Sequence, residues 1–307
     1  MFSVEERSIY FYDPKDAFSK KVLEKIGVER YSFTETYNST GEDILRLSES
    51  VRSRKTFVLM SLAKNPHESF MRMCLMISAL KNGAAKSVTA VIPAMCYVKD
   101  DSYIPRSPLA PQLMIRLLET AGADSFIFLD MHSQKQRGYG VTKKDDIKPR
   151  TVFAEDMTKR FGEDIMLCPL KRNDVSRADD YRDFIPGLDV VLQNLDGKTL
   201  SKSVKDKKII IVSDSVSNAK RLVETAKLLR KKKATEIHAY MTHAIFVKNS
   251  VQLINDSPLL SLTVSDTYEL PGDAIVSGKI KVLSLISYFA RALREIDSGD
   301  SLGKMNN

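Results

Sequence analysis

Short apolar runs rich in β-branched and aromatic residues recur along this chain, most closing on a polar turn and followed by a helical pattern. That alternation is the strongest constraint on its fold. In the first half, Phe57-Val58-Leu59-Met60-Ser61, Val88-Thr89-Ala90-Val91-Ile92 and Phe126-Ile127-Phe128-Leu129 predict strands. In the second half, Asp189-Val190-Val191-Leu192, Ile209 to Val212, Ile237 to Met241 and Leu259 to Val264 do the same. Ser69 to Leu80 predicts a helix that is apolar nearly all round, hence buried. Leu109, Leu113, Met114, Leu117 and Leu118 mark one face of a second helix, and Leu222, Val223, Ala226 and Leu229 stripe a third. A final helix is expected from about Ile280 to Ile296. Strands alternating with helices imply parallel βαβ units, an α/β fold with doubly wound parallel sheets. Two such halves predict two similar domains, 1–147 and 148–307, divided in the region 143–150, with the last helix a candidate to pack back on the first domain.

The chain has 307 residues, 43% hydrophobic and 28% charged, enough for one large or two medium cores. No run of 18 apolar residues occurs, so no membrane span is expected. The first residues lack a signal-peptide pattern, and Cys74, Cys96 and Cys168 are scattered in or beside apolar stretches. They predict buried reduced thiols and a cytoplasmic protein. The formal charge of +8 suits phosphorylated small molecules, an acidic partner or nucleic acid. Its clearest runs, 205–208 and 230–233, flank predicted strands and read as solvated ends, and no nucleic-acid motif accompanies them.

Ligands of doubly wound sheets bind beyond the carboxyl ends of the strands. Asp130, His132, Asp214 and Thr242-His243 fall there. Alternation puts Asp130 and His132 on one face of an extending strand, suited to a metal-nucleotide or a phosphate, or else to bonding nearby backbone. Residues 213–221 form a strand-to-helix turn, the usual seat of a phosphate, yet carry no glycine to let the backbone approach an anion. Ser217 and Asn218 read as N-caps, and Lys220 and Arg221 fall in the first helical turn, where Glu224 is placed to offset Lys220. An anion held by side chains and a plain cap are both open. His243 at a strand end, His67 in a loop and His238 in a strand give no site alone, and no Walker loop or G-x-G-x-x-G appears.

The segments 87–93, 121–124, Asp130-Met131-His132, 240–246, 280–284 and 290–294 together resemble the ribose-phosphate pyrophosphokinases, or phosphoribosyl pyrophosphate synthetases, over nearly the whole length. The resemblance implies two type-I phosphoribosyltransferase-like domains. It also implies transfer of a diphosphoryl group from Mg-ATP to ribose 5-phosphate, and assembly into oligomers. By resemblance, Asp130 and His132 match the metal and ATP histidine motif, His132 being the metal-side residue. The family's nucleotide-binding Arg-Gln-Asp appears as Lys99-Asp100-Asp101, and its adenine-binding hood as 38–42, where Glu42 remains but the aromatic is gone.

The second half departs further. The family's Pro-Asp-Ala-Gly-Gly, whose acid supports a second magnesium, aligns with Pro169-Leu170-Lys171-Arg172-Asn173, and leucine offers Mg²⁺ no oxygen. The catalytic loop's Lys-Glu-Arg aligns with Gln193-Asn194-Leu195. The ribose-phosphate loop aligns with 213–221, where Asp214 alone of three acids survives beside Ser213, Ser217, Asn218, Lys220 and Arg221. Three substituted elements serving one transition state imply impaired turnover. The leading expectation is a regulatory or structural subunit, in a homo-oligomer or paired with an active paralogue. A divergent active synthetase, with Lys171, Arg172, Lys220 and Arg221 rebuilding the phosphate contacts, and a binding module for another phosphorylated ligand remain open.

Overall fold

The computed structural model describes residues 8–28, 30–31, 33–99, 101, 103–194 and 198–300. The chain divides into two compact units, 1–148 with 286–307, and 149–285.

Unit 1 opens with β1 (Ile9–Tyr12), α1 (Ala17–Ile26) and β2 (Arg30–Tyr31), followed by an antiparallel hairpin of β3 (Phe33–Tyr37) and β4 (Asp43–Leu47). Then come β5 (Lys55–Leu59), α2 (Pro66–Asn82), β6 (Ser87–Ile92), α3 (Ala110–Ala121), β7 (Ser125–Leu129) and β8 (Lys143–Ile147). The six-stranded sheet runs β2-β1-β5-β6-β7-β8, with every pair parallel. Burial on both faces explains the unbroken apolar runs of β5, β6 and β7.

The order reverses between β1 and β5, and Asp16 secures that point. Its carboxylate caps α1, accepting from Phe18 N (3.1 Å) and Ser19 N (3.3 Å), and also accepts from Ser61 N just past β5 (2.7 Å).

Unit 2 follows the same plan. It contains α4 (Arg150–Phe161), β9 (Met166–Pro169), α5 (Val175–Asp179), β10 (Asp189–Val190), β11 (Lys208–Val216), α6 (Lys220–Lys231), β12 (Glu236–Ala244), α7 (Ser250–Asn255), β13 (Ser261–Ser265), α8 (Gly272–Ile275) and β14 (Ile280–Leu283). Its parallel sheet is ordered β10-β9-β11-β12-β13-β14, reversing between β9 and β11. Arg160 fastens α4 to this sheet, donating to Tyr240 Oη (3.1 Å) and Thr263 Oγ1 (2.9 Å) while pairing with Asp156 (3.1 Å). Arg230 closes the end of α6 on the carbonyls of Ala234 (3.0 Å) and Thr235 (2.9 Å), so this member of the 230–233 run serves a helix end.

The last helix, α9 (Ile286–Ser298), belongs to unit 1. Phe289 packs on Phe18, Tyr10 Oη donates to Asp297 (2.7 Å), and Arg294 donates to the closing carbonyls of α1, Lys25 O at 2.9 Å. The expected helix over 280–296 is therefore two elements. Ile280-Lys281-Val282-Leu283 pairs with β13 as an edge strand, and the helix starts at Ile286.

Other expectations also shift. The buried face of α3 is Pro111, Ile115 and Leu118, whereas Leu113 and Leu117 are exposed. His67 lies in the first turn of α2, behind Pro66 at its start, rather than in a loop. In that same helix the buried side carries a charge, Arg72, which is 3% exposed. Its guanidinium reaches Asp13 (3.8 Å), Asp43 (3.3 Å), Glu68 (3.5 Å) and Tyr37 Oη (3.5 Å), tying the β3–β4 hairpin to the sheet. Burial raises the Asp13 pKa, opposed by the Lys15 amide and then by Arg72.

Removing one partner of a buried ion pair leaves the other charge uncompensated. Arg72→Met is expected to cost about 3–5 kcal/mol in urea unfolding and to speed hydrogen exchange in the hairpin. A loss under about 1 kcal/mol would mean that the network is not what holds the hairpin.

Candidate functional site

In unit 2 the strand ends build the site. β9 pairs with β11 as far as Pro169 opposite Val212, with a last tie from Leu170 N to Val212 O (3.0 Å). β11 runs on to Val216 beside β12, so 213–216 lose their neighbour on the β9 side. The chain leaving β9 turns at 171–174, where Lys171 N donates to Asp174 Oδ2 (3.1 Å). That turn sets Lys171 over Asp214, with Nζ 3.3 Å from Oδ1. Ser213 Oγ donates to the same carboxylate at 3.2 Å and Ser215 Oγ at 2.9 Å.

Asp214 is 2% exposed and Asp174 1%. Two buried acids are tolerated because Arg177 pairs with Asp174 (3.4 Å) while Lys171 pairs with Asp214. Burial, and then the charge of Asp214, raise the Asp174 pKa; Arg177, a Ser213 hydrogen bond and Lys171 oppose the rise.

A cleft of about 880 Å³ opens at this reversal point, lined among others by Leu170, Lys171, Arg172, Gln193 and Arg221. α6 begins at Lys220, and its N-cap is Ala219, held at φ 56°. The caps expected at Ser217 and Asn218 are therefore displaced. Asn218 still accepts from Lys220 N (3.2 Å), and the Ser217 carbonyl accepts from Val247 N (3.4 Å). Lys220 and Arg221 lie in the first turn and are exposed; the Lys220–Glu224 ion pair does not form. His243 is buried against Thr267 (3.0 Å) and His238 against Ser261 (2.8 Å); both are core histidines. Of the catalytic-loop segment, Leu195 lies outside the described residues, while Asn194 bonds across the loop to Thr199 Oγ1 (2.8 Å).

In unit 1, β7 ends at Leu129, and Asp130 takes a left-handed φ of 56°. The strand does not extend, so alternation does not place Asp130 and His132 on one face; both are buried just beyond it. Asp146 fixes the turn by accepting from Met131 N (2.9 Å). Gln136 donates to Val98 O (3.1 Å) and Tyr139 Oη to Asp101 O (3.3 Å), drawing the loop with exposed Lys99 and buried Asp101 beside the turn after His132. Asp100 lies outside the described residues. Glu42 sits across the hairpin turn, its carboxylate bonded to Asn38 Nδ2 and to Thr40 Oγ1 (3.2 Å). Sequence reasoning missed Asp174 and Arg177, whose only signal is an acid three residues ahead of an arginine.

The family model for the N-terminal domain of ribose phosphate pyrophosphokinase matches residues 8–122, and that for the phosphoribosyl synthetase-associated domain matches 172–306. The chain belongs to the ribose-phosphate pyrophosphokinase family. It is 28% identical to the Wolinella succinogenes ribose-phosphate pyrophosphokinase over 297 residues, covering 94% of this chain and 95% of that one. It is 29% identical to the Caldanaerobacter subterraneus enzyme of the same name over 299 residues, covering 94% and 93%. In fold it matches the crystal structure of phosphoribosylpyrophosphate synthetase from Mycobacterium smegmatis with a TM-score of 0.88 at 23% identity, over 95% of this chain and 100% of that one.

Magnesium, which the family resemblance brings, needs oxygen ligands. The unit 2 side chains do not fit it: that of Leu170 has none to offer, and both oxygens of Asp214 are engaged by Lys171, Ser213 and Ser215. Among the described residues, no three His, Cys, Asp or Glu side chains group closely enough to hold a metal.

Gln136 is 3% exposed and is the side-chain link between the unit 1 turn and the Val98 backbone. Gln136→Ala is expected to cost about 1 kcal/mol and to speed amide exchange across 94–99. Unchanged exchange there would show that the loop is positioned by other contacts.

Proposed function

We propose that this chain is a ribose-phosphate pyrophosphokinase homologue that does not turn over ordinarily. It would act instead as a regulatory or structural subunit, assembling with copies of itself or with an active paralogue in nucleotide biosynthesis. One observation carries the reading. The acid at the carboxyl end of β11, Asp214, is neutralised by Lys171 of its own chain and hydrogen-bonded by two flanking serines. A carboxylate so engaged is poorly placed to serve an incoming sugar or metal.

Two further departures point the same way. Leu170 stands where the resemblance calls for a metal-supporting acid, and Gln193-Asn194 stand where it calls for cations to stabilise the transferring group. The matched family models and the unbroken sheets support a scaffold kept for packing and assembly. Mg-ATP would then be at most a ligand of the Asp130–His132 side, together with Lys99, Asp101 and Glu42. No helix among the described residues is long and apolar enough to cross a membrane, and the three cysteines are free thiols, consistent with work in the cytoplasm.

The test is AMP release by the purified chain with ATP, Mg²⁺ and ribose 5-phosphate, beside His132→Ala. The expected result is no ribose 5-phosphate-dependent AMP above the variant. AMP that appears with ribose 5-phosphate and vanishes in the variant would overturn the reading in favour of a divergent active synthetase.

A further inference from the structure

The sequence keeps the cationic runs 205–208 and 230–233 apart, and the structure joins them. Asp206 N donates to Lys233 O (3.0 Å), and Thr235 donates to Lys207 O from both its amide and its hydroxyl (3.0 Å each). The turn before β11 and the turn after α6 thus lie side by side at the amino end of the unit 2 sheet, the end away from the cleft. Lys205, Lys207, Lys231, Lys232 and Lys233 are all exposed there, and exposed Lys227 lies one helical turn before Lys231.

Local structure accounts for part of this charge. Arg230 closes α6, and Lys208 Nζ donates to Phe161 O at the end of α4 (3.2 Å). Lys207 pairs with Asp164 (3.1 Å), Lys205 lies 3.9 Å from Asp206, and Glu236 is engaged by His238 (3.3 Å). Among the described residues, no carboxylate lies within ion-pair distance of Lys227, Lys231, Lys232 or Lys233. The dipole of α6 favours cations in its last turn. It does not explain Lys233, which follows the helix at a left-handed φ of 69°. Ala234 N bonds back to Leu229 O (3.1 Å) and Lys233 N to Arg230 O (3.0 Å), the closing pattern in which glycine usually takes the left-handed place. Gly27 and Gly122 take it after α1 and α3. A lysine at that place stands against the preference of the backbone.

We propose that this end of unit 2 is an interaction surface for the phosphodiester backbone of a nucleic-acid duplex, bound through charge and without regard to base sequence. The proposal goes beyond the subunit reading and does not depend on it. The free groups of the surface are ammonium point charges. Arg230 is engaged by two carbonyls, so it offers no fork to a base edge, and neither turn exposes an aromatic or apolar side chain on which a base could stack. A duplex asks for neither, because it carries one charge for about every 1.7 Å of its axis on a stiff frame. An acidic peptide spaces its charges more widely, must be ordered on binding, and relies on apolar anchors that these two turns lack.

Fluorescence anisotropy of a labelled DNA duplex of about 20 base pairs, titrated with the full chain in about 50 mM salt, tests this. Saturable binding is expected, equal for two duplexes of unrelated sequence, with log K falling against log salt at a slope of roughly −3 or steeper. The combined variant Lys231→Ala, Lys232→Ala and Lys233→Gly should bind roughly tenfold or more weakly, with a slope shallower by about 2 to 3. Lys233→Gly alone should weaken binding while raising the melting temperature, a split that a purely structural lysine would not show. The charge-matched variant Lys20→Ala, Lys21→Ala and Lys25→Ala, on exposed positions of α1, should bind as the native chain does. No binding, or binding and slope unchanged in the α6 variant, would overturn the proposal. Tighter binding of poly-L-glutamate of equal charge than of the duplex would overturn it in favour of an acidic protein segment.

Discussion

An all-parallel sheet must be covered on both faces, and every crossover that covers it returns the chain to the same end. In this protein that constraint fixes nearly everything else. The strands of each sheet read as continuous apolar runs, the helices carry the covering faces, and the polar turns collect at the carboxyl ends. The reversal point of each sheet is where two such turns diverge and leave room. Both reversal points here are held by a carboxylate that serves the fold. Asp16 caps α1 and grips Ser61, and Asp214 pairs with Lys171.

The two ends are therefore alike in backbone and unlike in chemistry. In unit 2 the pair of buried acids, Asp174 and Asp214, is balanced by Arg177 and Lys171 from the segment that leaves β9. Such balance makes the strand end self-sufficient: each carboxylate already has a cation, and the cations left over, Arg172 and Arg221, line the cleft. In this member of the family the two acids of the strand end are buried against cations, and two exposed arginines line the cleft.

Much of this is legible in the sequence, and the failures have physical causes. The strands β5, β6, β7, β11 and β12 announce themselves because both their faces are buried. β8 reads Lys-Lys-Asp-Asp-Ile and β2 is two residues long, so as edge strands with one neighbour each they leave little apolar signal. Periodicity alone merges β14 with the last helix, because Ile280, Leu283 and the residues after it also fit helical spacing over so short a run; the resemblance, which makes 280–284 and 290–294 a last strand and helix, separates them as the structure does. The Asp130 turn escapes because alternation assumes a strand that continues, and a left-handed residue ends it. At the candidate site Lys171 and Asp214 are visible in the sequence but their pairing is not, and Asp174 and Arg177 escape altogether. Lys171 and Asp214 are 43 positions apart, and only the turn at 171–174 brings them together.

That pair is what makes the unit 2 strand end self-sufficient, and a double-mutant cycle measures it directly. Urea unfolding of the native chain, Lys171→Met, Asp214→Asn and the two combined yields their coupling energy. The expected coupling is about 1 kcal/mol or more, with the combined variant less damaged than the sum of the single changes. A coupling indistinguishable from zero would contradict this, because Asp214 would then be balanced by something other than Lys171.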